Sequence, residues 1–332
     1  MPVPDAALKA RQHPLVLRAR HTARRSLDRI DNEPVRRARG LLKALKGSNP
    51  PDLLYLGDSM LSFVSPTDVD RRRLDTMVAD GLGAEKSMHV VDGASFHVDI
   101  FEAYLRLLYG TSHRPLVIVP LWIRGRTAPF IEHPVHGHKK AIEKIRQVDP
   151  SRGAWRVRGM WPRPTPEKFE AFYEVPFPTV LGDLKVGDYV RPIAEFKRSG
   201  NEAERLKTLY AYHHGGLLLP DSPVMEGVTR MAATIRDLGC RVVVYQTPVP
   251  VETASALLGP ELVTRTAASF AALDAAYRAG SGDDTEIVQS GMSFPESEFI
   301  DPTDASEHLN QHGRIRLAEM ITDAVKRRQS SG

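Results

Sequence analysis

The sequence contains one cysteine, Cys240, among its 332 residues. A single cysteine excludes an internal disulfide and any metal site built from several thiolates. Cys240 opens a run of apolar residues, so we expect it to be a buried thiol without a chemical role. The sequence also lacks an apolar run of the ~18 residues needed to cross a bilayer, and its first residues lack the apolar region of a signal peptide. These absences predict a cytoplasmic protein.

No segment has the spacing of a phosphate-binding or dinucleotide-binding loop, or of a Gly-x-Ser-x-Gly turn. Three histidines, His133, His136 and His138, lie close together, but neither a cysteine nor a pair of carboxylates accompanies them. Such histidines bind a metal only when further ligands converge on them. A plain loop explains them best, and a contact with substrate or with a lid explains them better than a metal does. The sequence therefore predicts neither a cofactor nor a metal.

Positive charge is concentrated in residues 1–50, which we call the basic arm. The arm holds 12 Lys and Arg against 4 Asp and Glu, whereas residues 51–332 hold 33 against 37. Its arginines are interleaved with Leu, Ile and Val, as in an amphipathic helix. One interpretation is a helical arm packed on the body, and another is a contact with an anionic membrane surface that places the protein peripherally. Nucleic acid is less favoured as a partner, because the arm has no aromatic residues.

Short apolar runs alternate with helical patterns over most of residues 51–332. Continuous apolar strands separated by helices predict one α/β domain with a parallel sheet covered on both faces. The predicted strands are 53–56, 88–91, 116–121, 241–245 and 285–289. The predicted helices are 65–80, 97–109, 225–238, 260–279 and a last one that ends near 326.

Residues 124–224 do not follow this alternation and are rich in proline and aromatic residues. A bare loop of this length would be unusual in a compact domain. We interpret the segment as an insertion with helices of its own at 166–173 and 200–214. It is expected to lie over the carboxyl edge of the sheet as a lid, or else to be a structural extension or an oligomer contact.

The first strand leads directly into Gly57-Asp58-Ser59. Ligands bind beyond the carboxyl ends of parallel strands, so Ser59 is expected at the mouth of a site. A serine hydroxyl becomes a good nucleophile only when a base takes its proton. The candidate base, His308, opens the segment His308-Leu309-Asn310-Gln311-His312-Gly313 before the last helix.

These two segments resemble the GDSL/SGNH hydrolase family, whose members carry Gly-Asp-Ser after the first strand and His-Leu-Asn-x-x-Gly at the last helix. The resemblance covers 53–123 and 225–326 and implies a five-stranded, flavodoxin-like α/β/α sandwich. It also implies that Ser59 is the nucleophile and His308 the base. The N–H groups of Ser59 and Gly93 would then form the oxyanion hole.

Two positions depart from the pattern of that family. The family has an oxyanion-hole Asn after the third strand, but residues 120–126 contain none. Arg124 is either its cationic replacement or an ordinary surface arginine. Trp122 and Arg126 in this segment are candidate substrate contacts.

The second departure concerns the acid of the triad, which the family places three residues before the histidine. Ala305 occupies that position here. Asp304 is the favoured acid because a small loop adjustment brings it to His308. Asp301 is the second candidate, and Glu307 is adjacent to the histidine.

The sequence thus predicts a serine-dependent esterase or O-acyltransferase that works through an acyl-enzyme. Its substrate would be an oxygen ester of a carbohydrate, a lipid-linked intermediate or a natural product. The alternative is a non-catalytic binding or assembly module on the same scaffold. The missing Asn and the shifted acid favour that alternative.

Overall fold

The computed structural model describes residues 33–124, 138–148, 196–218, 225–282, 285–300 and 306–330. Five parallel strands form one sheet in the order β2-β1-β3-β4-β5. This is the strand order of flavodoxin-like folds, and it confirms the predicted α/β class. The strands are β1 (Leu53–Gly57), β2 (Met88–Asp92), β3 (Leu116–Leu121), β4 (Val242–Gln246) and β5 (Glu286–Val288).

Helices cover both faces of the sheet. Leu54 and Leu56 of β1 belong to one hydrophobic cluster, whereas Leu53 and Tyr55 belong to a second, because successive side chains of a strand point to opposite faces. The helices are α1 (described over 33–45), α2 (Ser59–Ser62), α3 (Leu74–Leu82), α4 (Val98–Leu105), α5 (Lys139–Val148), α6 (Glu202–His214), α7 (Glu226–Asp237), α8 (Val251–Leu258), α9 (Glu261–Ser281) and α10 (Gln311–Ser330). Short 3-10 turns at Arg106–Gly110 and Glu296–Glu298 and a helical turn over 196–199 complete the described elements.

α4 and α7 contribute to the first cluster, and α3 and α10 to the second. Every residue of β1, β3 and β4 is buried, as expected for central strands covered on both sides. The molecule is therefore a three-layer α/β/α sandwich.

The prediction that a helix starts at Ser65 is wrong, since α3 begins only at Leu74. Asp68 forms an ion pair of 2.7 Å with Arg314, a side chain only 1% exposed. The Oε1 atom of Gln311 accepts hydrogen bonds from the N–H groups of Val69 and Asp70, both at 2.8 Å. These contacts with α10 hold 65–73 as a loop, because a buried arginine needs its carboxylate partner.

The basic arm contributes to the body through α1. Leu41 and Leu45 of this helix are buried in the first cluster, and the Tyr104 hydroxyl donates to the Pro34 carbonyl at 3.1 Å. Arg37 pairs with Asp92 at the end of β2. Residues 33–45 are therefore part of the packed core. The remainder of the arm, 1–32, lies outside the described residues.

Two described parts of the insertion pack on the sandwich. Ile142 and Ile145 of α5 join the first hydrophobic cluster. The predicted helix at 200–214 is present as α6, and its Tyr210 packs in a third cluster with Leu258 of α8. The predicted helix at 166–173 lies outside the described residues. Among the described helices, none is both long enough and apolar enough to cross a bilayer.

Candidate active site

Ser59 is the first residue of α2, directly beyond the carboxyl end of β1. Asp58 caps this short helix, and its Oδ1 atom accepts a hydrogen bond from the Met60 N–H at 2.9 Å. Gly57 is required at the turn because a Cβ atom there would overlap the side chain of Leu61. The strand, the glycine and the cap therefore fix the serine at the edge of the sheet.

The structure brings His308 to Ser59. Ser59 Oγ lies 3.1 Å from His308 Nε2, although the two residues are 249 positions apart. The backbone of the histidine is well held, because the His308 carbonyl accepts from the Ile300 N–H at 3.0 Å and Leu309 forms a β-bridge with Phe299. The imidazole thus has a fixed approach to the hydroxyl.

Asn310 starts the helix that follows the histidine. Its Oδ1 atom accepts from the N–H groups of His312 at 3.0 Å and Gly313 at 3.3 Å, which caps α10. Gly313 is also required, since a Cβ atom would lie 2.6 Å from the Glu298 carbonyl oxygen. The segment that suggested the family resemblance therefore starts α10 and also places His308 at the site.

The imidazole of His308 is largely enclosed. The Phe63 ring stacks on it with ring centroids 4.2 Å apart and planes inclined by 1°. Burial, and next the positive charge of Arg124, lower the pKa of His308 to about 4. The ring is therefore neutral at pH 7, so one nitrogen is able to accept a proton.

The second ring nitrogen, Nδ1, is buried and has no hydrogen-bond partner within the described residues. If Nε2 is to accept the proton of Ser59, then Nδ1 carries the hydrogen and needs an acceptor. Asp304 and Asp301, the predicted acids, lie outside the described residues. Glu307 instead forms an ion pair with Arg124 at 2.9 Å.

Gly93, the predicted oxyanion donor, follows β2 at the same edge of the sheet. Gly57 pairs with Asp92 in the β1–β2 register, so Asp58 and Gly93 occupy neighbouring positions beyond the two strands. A Cβ atom on Gly93 would lie 2.5 Å from the Phe96 ring. A side chain at this position would therefore have to displace the Phe96 ring.

Arg124 follows β3 and is surrounded by partners. Its guanidinium pairs with Glu307, hydrogen-bonds His213 Nδ1 and lies 5.2 Å from the centroid of the Trp122 ring. The Arg124 side chain is only 10% exposed, so it is not an ordinary surface arginine. Trp122 is buried beneath it at 2% exposure. Arg126 lies outside the described residues.

A buried carboxyl group adjoins the serine. Burial, and next the negative charge of Glu307, raise the pKa of Asp58 to about 7, while its hydrogen bond from the Met60 N–H and the charge of Arg124 oppose this rise. The site thus combines a neutral imidazole, a carboxyl group that titrates near neutrality and a buried ion pair.

Three contacts of this site were not predicted from the sequence. Phe63 carries no local signal for stacking on a histidine 245 positions later in the chain. His213 reaches Arg124 from the end of α6, which supports the view that this part of the insertion lies at the carboxyl edge. The ion pair of Arg124 with Glu307 depends equally on the folded chain.

The scan against models of known protein families found no match, and the search of the curated proteins found none either. The geometry of Ser59 and His308 and the chemistry of the groups around them are the features of this chain that bear on its function.

Proposed function

We propose that the protein is a serine-dependent esterase or O-acyltransferase that works through an acyl-enzyme. The observation that carries this proposal is the 3.1 Å contact between Ser59 Oγ and His308 Nε2 at the carboxyl edge of a parallel sheet. A nucleophile and a base within hydrogen-bond reach are the minimum requirement for this chemistry. The family resemblance of the two segments supports the same assignment.

In the proposed reaction, His308 Nε2 takes the hydroxyl proton as Ser59 Oγ attacks the carbonyl carbon of the ester. The tetrahedral intermediate then collapses, the C–O bond to the leaving alcohol breaks, and the imidazolium returns the proton to that alcohol. Water, or the hydroxyl group of an acceptor, attacks the acyl-enzyme in the same way and releases Ser59. Water gives hydrolysis, and an acceptor hydroxyl gives acyl transfer.

The negative charge of the intermediate requires donors. The N–H groups of Ser59 and Gly93 are the proposed pair, because both residues follow the carboxyl ends of β1 and β2, which are neighbours in the sheet. We propose Arg124 as the third group, acting by its positive charge near His308. Removing one such donor typically slows an acyl transfer by ~100-fold or more.

Charged groups around the serine favour a polar substrate. Arg124 and Glu307 form a buried ion pair beside the reacting atoms, and Asp58 adjoins the nucleophile. Such groups are better satisfied by the hydroxyls of a carbohydrate or by a polar natural product than by a purely apolar alcohol. We therefore propose an oxygen ester on a polar alcohol as the substrate class, with a lipid-linked sugar included.

A second candidate is a binding or assembly module that keeps the scaffold without catalysis. It is favoured by Nδ1 of His308, which is buried without an acceptor in the described part of the chain. Without an acid to hold the imidazolium, the charge that develops on His308 would be opposed by burial and by Arg124. The two candidates differ in one measurable property, the reactivity of Ser59.

The test is labelling with a fluorophosphonate, which reacts only with an activated serine. We expect wild-type protein to be modified at Ser59, as located by peptide mass analysis, and Ser59→Ala to be unlabelled with a melting temperature within a few degrees of wild type. Ser62→Ala is the matched control, because Ser62 lies exposed on the same short helix. Wild-type protein that stays unmodified beside a reactive serine esterase would leave the binding module as the better explanation.

A further inference from the structure

Phe63 lies on the same turn of chain as the nucleophile. It is the C-cap residue of α2, and its N–H donates to the Ser59 carbonyl at 2.8 Å. The main chain of Phe63 is therefore held against the main chain of Ser59.

The two groups hold the imidazole in complementary ways. Ser59 Oγ contacts the Nε2 atom of His308 at 3.1 Å, which fixes one point of the ring. The Phe63 ring lies parallel to the imidazole within 1°, with centroids 4.2 Å apart, which fixes its plane. A hydrogen bond at one atom leaves the ring free to tilt, whereas a point and a plane together define its orientation.

The core does not explain this phenylalanine. Its side chain is 41% exposed, whereas Phe96, Phe294 and Phe299 are each at most 4% exposed. Among the described residues, Phe63 belongs to none of the three hydrophobic clusters. An aromatic ring that is left partly in water and stacked on one histidine contributes little to the burial that stabilises the fold.

We propose that Phe63 is a positioning residue, whose ring sets the plane of the His308 imidazole so that Nε2 faces Ser59 Oγ. This inference rests on the proposed function of the Ser59–His308 pair. The ring also covers one face of the imidazole and keeps water from it. Phe63 thereby orients the base without placing a second charge beside it, in contrast to a carboxylate on Nδ1.

The test compares Phe63→Leu, which removes the ring, with Phe63→Tyr, which keeps it. Two quantities are measured on the full chain: the pKa of His308 by NMR titration of its imidazole, and the rate of fluorophosphonate labelling as a function of pH. Val263→Ala is the control for loss of exposed apolar surface, since Val263 on α9 is 40% exposed.

We expect Phe63→Leu to raise the pKa of His308, because water reaches the uncovered face of the ring. The midpoint of the labelling profile should move to higher pH with it. The rate on the alkaline plateau should fall by roughly three- to tenfold, the factor that an aromatic pair of ordinary strength represents. Phe63→Tyr should keep both wild-type values, and Val263→Ala should leave both unchanged.

A role in stability alone would lower the melting temperature without moving the midpoint of the profile. Suppose that wild-type protein is labelled, and that Phe63→Leu has the same labelling midpoint and the same His308 titration as wild type. This result would overturn the positioning role of Phe63 and leave the proposed function standing. Should Phe63→Leu fail to fold, Phe63→Met replaces it in the test, because methionine keeps the bulk without a ring. Phe63→Met is expected to give the same two shifts. A Phe63→Met protein with the wild-type His308 pKa and the wild-type labelling midpoint would overturn the proposal. Wild-type protein without any labelling would instead overturn the proposed function.

Discussion

Two partly buried imidazoles, His308 and His138, lie in surroundings that are electrostatically similar and chemically different. In both, burial is the main cause that lowers the pKa to about 4. The second cause is a neighbouring group, Arg124 for His308 and His97 for His138. By pKa alone the two histidines are indistinguishable.

Their hydrogen-bond partners separate them. His138 Nε2 lies 3.1 Å from the Ser95 carbonyl oxygen, and since a carbonyl only accepts, Nε2 must carry the hydrogen and donate it. His308 Nε2 faces the hydroxyl of Ser59, which is able to give up its proton. A low pKa therefore marks burial in both places, whereas the partner atom decides which of the two Nε2 atoms is able to accept a proton.

The largest expected effect tests directly whether His308 and His138 differ in function. His308→Ala should slow fluorophosphonate labelling of Ser59 by ~10²–10⁴-fold, since that is the usual contribution of a general base. His138→Asn should leave the rate close to wild type, and asparagine tolerates the positive φ of 46° at this position. Equal losses of reactivity in two folded variants would contradict the distinction between the rings.

A second experiment asks which group accepts a hydrogen bond from Nδ1 of His308, as the Ser95 carbonyl accepts one from Nε2 of His138. We expect Asp304→Asn to slow labelling more than Asp301→Asn or Glu307→Gln, because a ring in the wrong tautomer loses up to ~10⁴-fold in rate. Glu307→Gln should have a smaller effect, since Glu307 pairs with Arg124. Small and equal effects of all three would point to a Ser-His dyad, and a dominant effect of Asp301 would assign the acid there.

The smallest expected effect concerns stability, where the two histidines should behave alike. Each has a pKa below its ordinary value of 6.5 in the folded protein, so between pH 6.5 and 4 the unfolded chain binds more protons. Each therefore lowers the free energy of unfolding as pH falls through this range, by at most about 1.4 kcal/mol per pH unit. Urea denaturation from pH 7 to 5 should show a shallower loss in both His138→Asn and His308→Asn.

Asp58 acts in the opposite direction. Its pKa of about 7 exceeds the ordinary value of 3.8, so between these values the folded protein binds the proton more tightly and gains stability as pH falls. The histidine variants must therefore be compared with wild type at each pH. A variant whose slope equals that of wild type would show that the imidazole it replaces has the same pKa in the folded and the unfolded chain.

The fold was predictable because its strands are local, continuous apolar runs. β3 was predicted with its observed bounds, and the other four strands within one or two residues at either end. α5 and α8 were not predicted as helices, although α8 ends at Gly259, a residue typical of a helix C-terminus, and α5 has apolar residues at helical spacing. The false start of α3 has a nonlocal cause, because Arg314 and Gln311 on α10 hold the preceding loop.

The residues of the site were predictable only where they lie in a recognisable sequence motif. Ser59 and His308 lie in segments that resemble known ones, and the structure brings them together. No such motif marks the contacts of Phe63, His213 and Glu307. Each reaches its partner across 89 positions or more, so the contact exists only in the folded chain.

The separation of 249 positions between Ser59 and His308 also has a consequence for folding. Contacts so distant in sequence must close a long loop, and they slow folding more than local contacts do. A growing or prematurely truncated chain that ends before His308 would lack the proposed base, even where β1 and its neighbouring strands are complete. If Ser59 is the proposed nucleophile, it would react only in molecules in which His308 has reached it. A covalent serine probe would then measure the fraction of completely folded protein in a mixture of folding intermediates.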